Sequence, residues 1–195
     1  MDIPGKRAET AVVVGLLRGV NVGGHHKIGM VELRALCESL GLRGARTHLQ
    51  SGNVVFRTRE RDLARLARRI EDTIEWEAGF RPAVILRTSG ELREAVAKNP
   101  FAARRGLDPS KLAVMFLASD PGPEIRDAVL KIPAEPEEVR MGGREMYIYF
   151  PNGMGRPKLK IPLIERTLKT PMTGRNWNTT RRLLEIAEEM EAGGE

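Results

Sequence analysis

The order of apolar patterns in the first half of the chain recurs in the second half, and this repetition constrains the fold most. Residues 11–17 are a short apolar run rich in valine, which is typical of a buried strand. A helical stripe, a hairpin signal, a second helical stripe and a strand at 82–86 follow. From residue 112 the same order begins again, and it ends with a strand at 172–175 and a terminal helix. Each half has the order βαββαβ, which predicts an α+β protein of two tandem ferredoxin-like lobes with antiparallel sheets and a C-terminal helix.

The boundaries of the lobes follow from the segment between the two patterns. Thr88 and Glu91 have the spacing of a capping box, so a connecting helix is expected to start there. We therefore predict a first lobe at residues 10–88, a connecting helix and loop at 89–110, and a second lobe with the C-terminal helix at 111–195.

Both lobes contain a hairpin signal between their middle strands. In the first lobe, strands are expected at 47–50 and 53–56, on either side of Ser51-Gly52. In the second lobe, Gly142-Gly143 separates two predicted strands.

Composition restricts the cellular setting. The chain has 195 residues and one cysteine, Cys37, which excludes an intrachain disulfide and fits a reducing compartment. The N-terminus lacks the pattern of a signal peptide, and the apolar run at 11–17 is too short to span a bilayer. We expect a soluble, cytoplasmic protein that does not associate with a membrane.

The positive charge is concentrated in one segment. The formal net charge is +6 at pH 7. Residues 152–182, here called the basic segment, contain eight lysines and arginines and a single acid, Glu165. An evenly solvated surface would not require this clustering, whereas a polyanionic partner would favour it.

A glycine-rich loop, residues 18–27, leaves the first strand and leads into a helix. Successive exposed N–H groups at glycines with positive φ can hold an anion, and Arg18 and Lys27 would add charge. A tight loop that needs glycine for its geometry alone explains the pattern equally well. The loop matches neither the Walker motif nor the dinucleotide-binding fingerprint.

The start of the last helix is a second place where an anion could bind. Asn176 or Asn178 is a suitable N-cap, and Arg181 and Arg182 are expected in the first turn, where positive charge opposes the helix dipole. Free N–H groups and two arginines would together attract an anion there. Packing that overrides the dipole is the alternative.

For the other residues that could bind a ligand or a metal, the sequence favours a structural role. Tyr147 and Tyr149 lie on one face of a predicted strand, where RNA-recognition motifs carry stacking aromatics, but we expect a helix or the other lobe to cover them. Adjacent His25 and His26 lack companion ligands at metal-site spacing. The sequence therefore predicts no metal and no cofactor, and it identifies no catalytic residue.

Four motifs resemble those of domain-of-unknown-function family 1697, which occurs in bacterial proteins. The first to fourth motifs are residues 16–24, 50–56, 153–159 and 175–179, and the resemblance extends from about Val12 to Ala187. It implies two α+β, ferredoxin-like subdomains and no established activity. The motifs coincide with the glycine-rich, asparagine-rich and basic loops, which we expect to converge at one edge or between the lobes.

These observations favour a protein that binds an anionic ligand, either a nucleotide or a nucleic acid. An enzyme that acts on a small phosphorylated substrate and a regulatory module that binds another protein remain alternatives. The oligomeric state is left open. The candidate ligand-binding residues are Arg18, Asn21, Gly23, Gly24, Lys27, Gln50, Ser51, Asn53, Arg156, Lys158, Arg175, Asn176, Trp177, Asn178, Arg181 and Arg182.

Overall fold

A computed structural model describes residues 10–194 and shows, within that range, six α-helices and two four-stranded antiparallel sheets. The strands are β1 Ala11–Leu17, β2 Arg43–Thr47, β3 Asn53–Thr58, β4 Val84–Thr88, β5 Leu112–Leu117, β6 Glu138–Gly142, β7 Glu145–Tyr149 and β8 Met172–Asn176. The helices are α1 Met30–Ser39, α2 Leu63–Ala78, α3 Ser89–Ala97, α4 Pro123–Leu130, α5 Ile161–Leu168 and α6 Trp177–Ala192, and a 3₁₀ turn spans Pro109–Lys111. The predicted α+β class and the C-terminal helix are confirmed.

The two sheets have the same internal order. Sheet 1 runs β2-β3-β1-β4 and sheet 2 runs β6-β7-β5-β8. We call β1–β4 and β5–β8, with the helices between them, the two units. In each sheet the first strand of the unit lies between the third and the fourth and is antiparallel to both. The loops that leave the equivalent strands therefore emerge at equivalent edges.

Three hydrophobic clusters hold the layers together. The outer face of sheet 1 packs on α1 and α2, and the outer face of sheet 2 packs on α4 and α5. The central cluster joins the inner faces of both sheets to α3 and α6. Both faces of each sheet are therefore covered, which is why residues 12–17 form a continuous buried run instead of alternating.

Two local predictions need correction. The strand before the first hairpin lies at Arg43–Thr47, earlier than the predicted 47–50, so the connection to β3 is a five-residue loop, 48–52, and not a two-residue turn. Its geometry depends on the buried amide of Asn53, which donates to the His48 carbonyl at 2.8 Å and to Ser51 Oγ at 2.9 Å. These bonds are local, but Asn53 is buried beside Arg175, which lies 122 positions away in the chain, and that burial leaves no simple signal in the sequence.

The second correction concerns the start of the last helix, for which the sequence offered either Asn176 or Asn178 as the N-cap. Asn176 is the N-cap, and its side chain accepts a hydrogen bond from Thr179 N at 2.8 Å. Arg181 and Arg182 consequently lie in the second turn of α6, beyond the free N–H groups. The prediction that both arginines lie in the first turn is wrong.

Candidate anion-binding edge

Two buried arginines join the sheets in a reciprocal way. Arg87 of β4 donates from Nη2 to the carbonyl of Leu117, the last residue of β5, at 2.8 Å. Arg175 of β8 donates from Nη2 to the carbonyl of Leu17, the last residue of β1, at 2.9 Å. Each unit thus inserts the arginine of its fourth strand against the end of the other unit's first strand.

The surroundings of the two arginines correspond position by position. Leu17 N donates to the Gly52 carbonyl and Leu117 N donates to the Arg144 carbonyl, both at 2.9 Å. The next residue in each hairpin begins a strand and meets the arginine of the other unit: Asn53 starts β3 and Glu145 starts β7. The fourth strand then ends in a helix cap, Thr88 for α3 and Asn176 for α6.

The equivalent partners differ in charge. Nε of Arg87 donates to Oε1 of Glu145 at 2.9 Å, so Arg87 has a carboxylate partner. Nε of Arg175 donates to Oδ1 of Asn53, a neutral amide. Of the other Arg175 bonds, those to Thr173 Oγ1, the Gly174 carbonyl and the Ser51 carbonyl also have neutral acceptors.

The positive charge of Arg175 is therefore not neutralised locally. No carboxylate within residues 10–194 pairs with it, and burial alone lowers its pKa to about 10. The group stays protonated at neutral pH, since pH 7 lies well below that value. Burial also lowers the pKa of Arg87, but there Glu145 acts in the opposite direction.

Asn21 organises the glycine-rich loop beside this arginine. Its side chain donates to the Ile28 carbonyl at 3.0 Å, accepts from Ile28 N at 3.0 Å and donates to the Gln50 carbonyl at 2.7 Å. One amide thus closes the first loop and ties it to the second motif. Gly23 and Gly24 are exposed, have φ of 62° and 81°, and have open space where a side chain would stand.

The third motif reaches the same edge from sheet 2. Tyr149 at the end of β7 pairs with Leu112, and Asn176 at the end of β8 pairs with Ala113, so the loop after β7 and the start of α6 leave the sheet on the same side. Buried Glu137 holds this loop by accepting from Lys158 N at 3.2 Å and Leu159 N at 3.0 Å.

The ends of β1, β7 and β8 and the loop before β3 thus lie at the same end of the two sheets. We call residues 17–29, 48–53, 150–160 and 174–178 the motif edge. An ion pair of 2.7 Å between Arg18 and Glu165 of α5 also connects the two halves there. Hydrogen bonds of Arg175 and Asn21 join the first, second and fourth motifs, whereas the third motif leaves sheet 2 at the same end and packs on its outer face.

Most basic residues of the basic segment form no ion pair with another described residue. Within the described range, Arg182 is the one member that forms an ion pair, with Glu185 at 3.0 Å and Glu189 at 3.1 Å. Glu165, the single acid of the segment, is engaged by Arg18. Lys158 and Arg156 are exposed on the third motif.

A sequence model of the protein family of unknown function DUF1697 matches residues 11–147. The chain belongs to this family. The matched range ends within β7 and is therefore shorter than the resemblance expected from the sequence, which extended to Ala187. The third and fourth motifs lie outside the matched range.

Among solved structures, the chain is similar to a conserved bacterial protein from Streptococcus pneumoniae, with 22% sequence identity and a TM-score of 0.66. The alignment covers 92% of this chain and 99% of that protein. At this identity the similarity concerns the fold. No curated protein matches significantly.

The predicted site residues of this family member occupy different depths. Asn53 and Arg175 are buried, whereas Asn21 and Trp177 are half-buried, with Trp177 packed on the central cluster. The exposed residues are Arg18, Gly23, Gly24, Lys27, Gln50, Ser51, Arg156, Lys158, Asn176, Asn178, Arg181 and Arg182. Burial, assisted by the charge of Arg182, lowers the pKa of His48 in the second loop, so this imidazole is neutral at pH 7.

Sequence reasoning missed the structural partners of these residues. Glu137, which holds the third motif, and Thr173, which accepts from Arg175, were not identified. One signal was available for the reciprocal pair. Arg87-Thr88 and Arg175-Asn176 each place an arginine directly before a helix-capping residue at the end of a strand.

Cavities lie at the opposite edge, around Arg144. One of about 490 Å³ is lined by Glu91, Glu94 and Glu145, and another of about 610 Å³ is lined by residues near Thr58. Acidic groups of the first are already engaged: Glu91 pairs with Arg144, and Glu145 pairs with Arg87. Both cavities differ from the motif edge in position, and the first also differs in its mainly acidic lining.

The remaining candidates have structural roles. Tyr147 and Tyr149 are buried in the central cluster, as expected, and Tyr147 Oη donates to the Ala95 carbonyl of α3 at 2.7 Å. His26 stacks on Phe80 with ring centroids 4.9 Å apart. Over residues 10–194, no group of three metal-ligating side chains is present, and no helix has the length and apolarity needed to cross a bilayer.

Proposed function

We propose that the motif edge binds the phosphate groups of an anionic ligand, a nucleotide or a nucleic acid. The observation that carries this proposal is the difference between two equivalent arginines. Arg87 has the carboxylate of Glu145 as its partner, whereas Arg175 has the amide of Asn53. A buried cation without a carboxylate partner raises the local positive potential and attracts an anion to the nearby surface.

The loops around Arg175 support the same conclusion. Gly23 and Gly24 are exposed and have positive φ, and successive N–H groups in loops of this kind are suited to phosphate oxygens. Lys27 and Lys158 are exposed and form no ion pair with another described residue. The loops thus combine exposed donors with positive charge.

The experiment measures binding of inorganic triphosphate by calorimetry at low salt, where charge interactions are least screened. Asn53→Asp places a carboxylate beside Arg175 at the position that Glu145 occupies beside Arg87. We expect affinity to fall by about tenfold, equivalent to about 1.4 kcal/mol.

A second variant keeps the test independent of loop 48–52. Asn53→Asp removes the amide donor to His48, so the loop itself could change. Thr173→Asp instead adds a carboxylate near Nη1 of the Arg175 guanidinium. If the wild type does not bind, or if both variants fold and bind with unchanged affinity, the proposal is rejected.

The finer description of the fold is proposed with it. We infer that each unit has the ferredoxin-like plan, because the order βαββαβ and the strand order 2-3-1-4 recur in both. We propose residues 10–88 and 111–195 as the two lobes, joined by residues 89–110. The connecting helix α3 is the counterpart of α6, since both follow a fourth strand and pack in the central cluster.

A further inference from the structure

We infer that the ligand of the motif edge is a single-stranded nucleic acid, whose phosphates lie along the basic loops and whose bases pack against Val22 and Leu49. This inference rests on the proposed function and specifies its ligand. It comes from the length of the edge and from the apolar side chains exposed beside it.

The edge is longer than one phosphate group. Neighbouring strands lie about 4.8 Å apart, so the two steps from β8 through β5 to β7 place the third motif about 10 Å from Arg175. Positive groups distributed over this length match several phosphates in a row.

Two large apolar side chains project from the loops at one end of this edge. Val22 is 66% exposed and Leu49 is 57% exposed. Each is adjacent in sequence to one partner of the hydrogen bond between Asn21 and Gln50, so the two loop tips are held together.

The backbone at Leu49 indicates that this exposure is maintained by the loop. Its φ is 58°, a left-handed conformation that residues with a side chain rarely adopt. Glycine or asparagine would fit this conformation more easily, and neither would expose apolar surface. Strained residues of this kind are concentrated at ligand-binding sites.

This combination favours single strands over other anions. The faces of nucleic-acid bases are apolar and are accessible in single strands, whereas a duplex buries them in its stack. A free mononucleotide would use only part of the edge. An anionic bilayer is an alternative occupant, and the test separates it from an oligonucleotide.

The test is fluorescence anisotropy with labelled oligothymidylates of about 2 to 12 nucleotides, over a salt series. We expect affinity to rise with length until about 3 or 4 phosphates are engaged, and log affinity to fall with log salt with a slope of about −2 to −3. Linear polyphosphate of matched charge should bind at least several-fold more weakly, because it has no bases.

The decisive variant is Leu49→Asn, because asparagine tolerates the left-handed backbone. We expect it to weaken oligothymidylate binding by about fivefold while the salt slope and the affinity for polyphosphate stay unchanged. Leu130→Asn is the matched control, since Leu130 is 48% exposed but lies at the end of α4.

The outcomes distinguish this inference from the proposed function. If polyphosphate binds as tightly as oligothymidylate, or if Leu49→Asn has no effect, the inference is overturned, whereas the sensitivity of triphosphate binding to Asn53→Asp still decides the proposed function. Binding of phosphatidylserine vesicles in place of oligothymidylate also overturns it. Absence of any binding rejects both.

Discussion

Nε of Arg175 donates a hydrogen bond to Oδ1 of Asn53 in the opposite sheet, at the position where Arg87 meets the carboxylate of Glu145. Each sheet receives an arginine from the other unit, so each unit stabilises the other. The two contacts differ in one chemical group, an amide against a carboxylate. Both contacts hold the units together, but only the contact of Arg175 with Asn53 leaves a positive charge without a carboxylate partner.

The first prediction concerns the contact that is electrically balanced. Glu145→Gln leaves the guanidinium of Arg87 buried without a carboxylate, and this should lower the free energy of unfolding by about 3 kcal/mol. Urea denaturation followed by circular dichroism measures the change.

The control is the converse substitution at the equivalent position in the other contact. Asn53→Asp adds a carboxylate beside Arg175 but removes a donor to His48, and these effects oppose each other. We expect a change within about 1 kcal/mol. Equal losses in the two variants would show that the two arginines do not differ in their need for a negative partner.

The second prediction concerns Gly52, which lies in the second motif and packs against the first. Its φ is +68°, and a Cβ there would overlap the side chain of Val20 and lie 2.8 Å from Cβ of Leu17. Gly52→Ala should therefore destabilise the protein by about 3 kcal/mol or more, as measured by thermal unfolding.

Gly79→Ala separates steric overlap from backbone strain. Gly79 caps α2 with φ of 74°, but its Cβ would stand in open space. We expect a loss of only about 1 kcal/mol, which reflects the conformational term. Similar losses at the two positions would contradict the close packing of Gly52 against β1 and its following loop.

The third prediction concerns the single thiol. Burial, with a smaller effect of Glu38, raises the pKa of Cys37 to about 12 from its ordinary value of 9.0. The native thiol should therefore resist labelling by Ellman's reagent at pH 8 and react readily in denaturant. Rapid labelling of the folded protein would contradict this burial.

The same shift predicts a dependence of stability on pH. The folded state keeps the thiol neutral, so the stabilisation is fully present below pH 9.0 and is lost as the pH rises towards 12. The stability difference between the wild type and Cys37→Ala should shrink over this interval, as shown by urea denaturation at a series of pH values.

The fourth prediction concerns the link between sheet 2 and α3. Tyr147 Oη donates to the Ala95 carbonyl, so Tyr147→Phe should lower the free energy of unfolding by about 1 kcal/mol. Chemical denaturation measures the loss. Tyr149→Phe provides the comparison, because Tyr149 packs in the same cluster and its hydroxyl makes no hydrogen bond to another described residue. Equal losses would assign the effect to packing.

Local signals predicted much of the secondary structure. The capping box of Thr88 and Glu91 is present, with hydrogen bonds of 3.1 Å and 2.8 Å, because such a box depends only on residues within one turn. Strand β8 and the hairpin at Gly143 were also predicted. The position of β2 was missed because the 48–52 loop depends on bonds made by the buried side chain of Asn53.

The candidate site was only partly predictable for the same reason. The clustering of positive charge in the basic segment is a property of composition along the chain and is visible without a structure. The ion pair of Arg182 with Glu185 also has the i,i+3 spacing of neighbours on a helix. The burial of Arg175, in contrast, could not be predicted, because the residues around it in the sequence are mostly polar.

The sequence by itself determined the order βαββαβ in both halves, the capping box of α3 and the excess of positive charge, because these depend on periodicity and on neighbours close in the chain. Only the tertiary structure decided which charge lacks a partner. Asn53 and Arg175 are 122 positions apart, and they meet because each sheet buries its inner face against the other unit. That packing places an amide beside one arginine and a carboxylate beside the other.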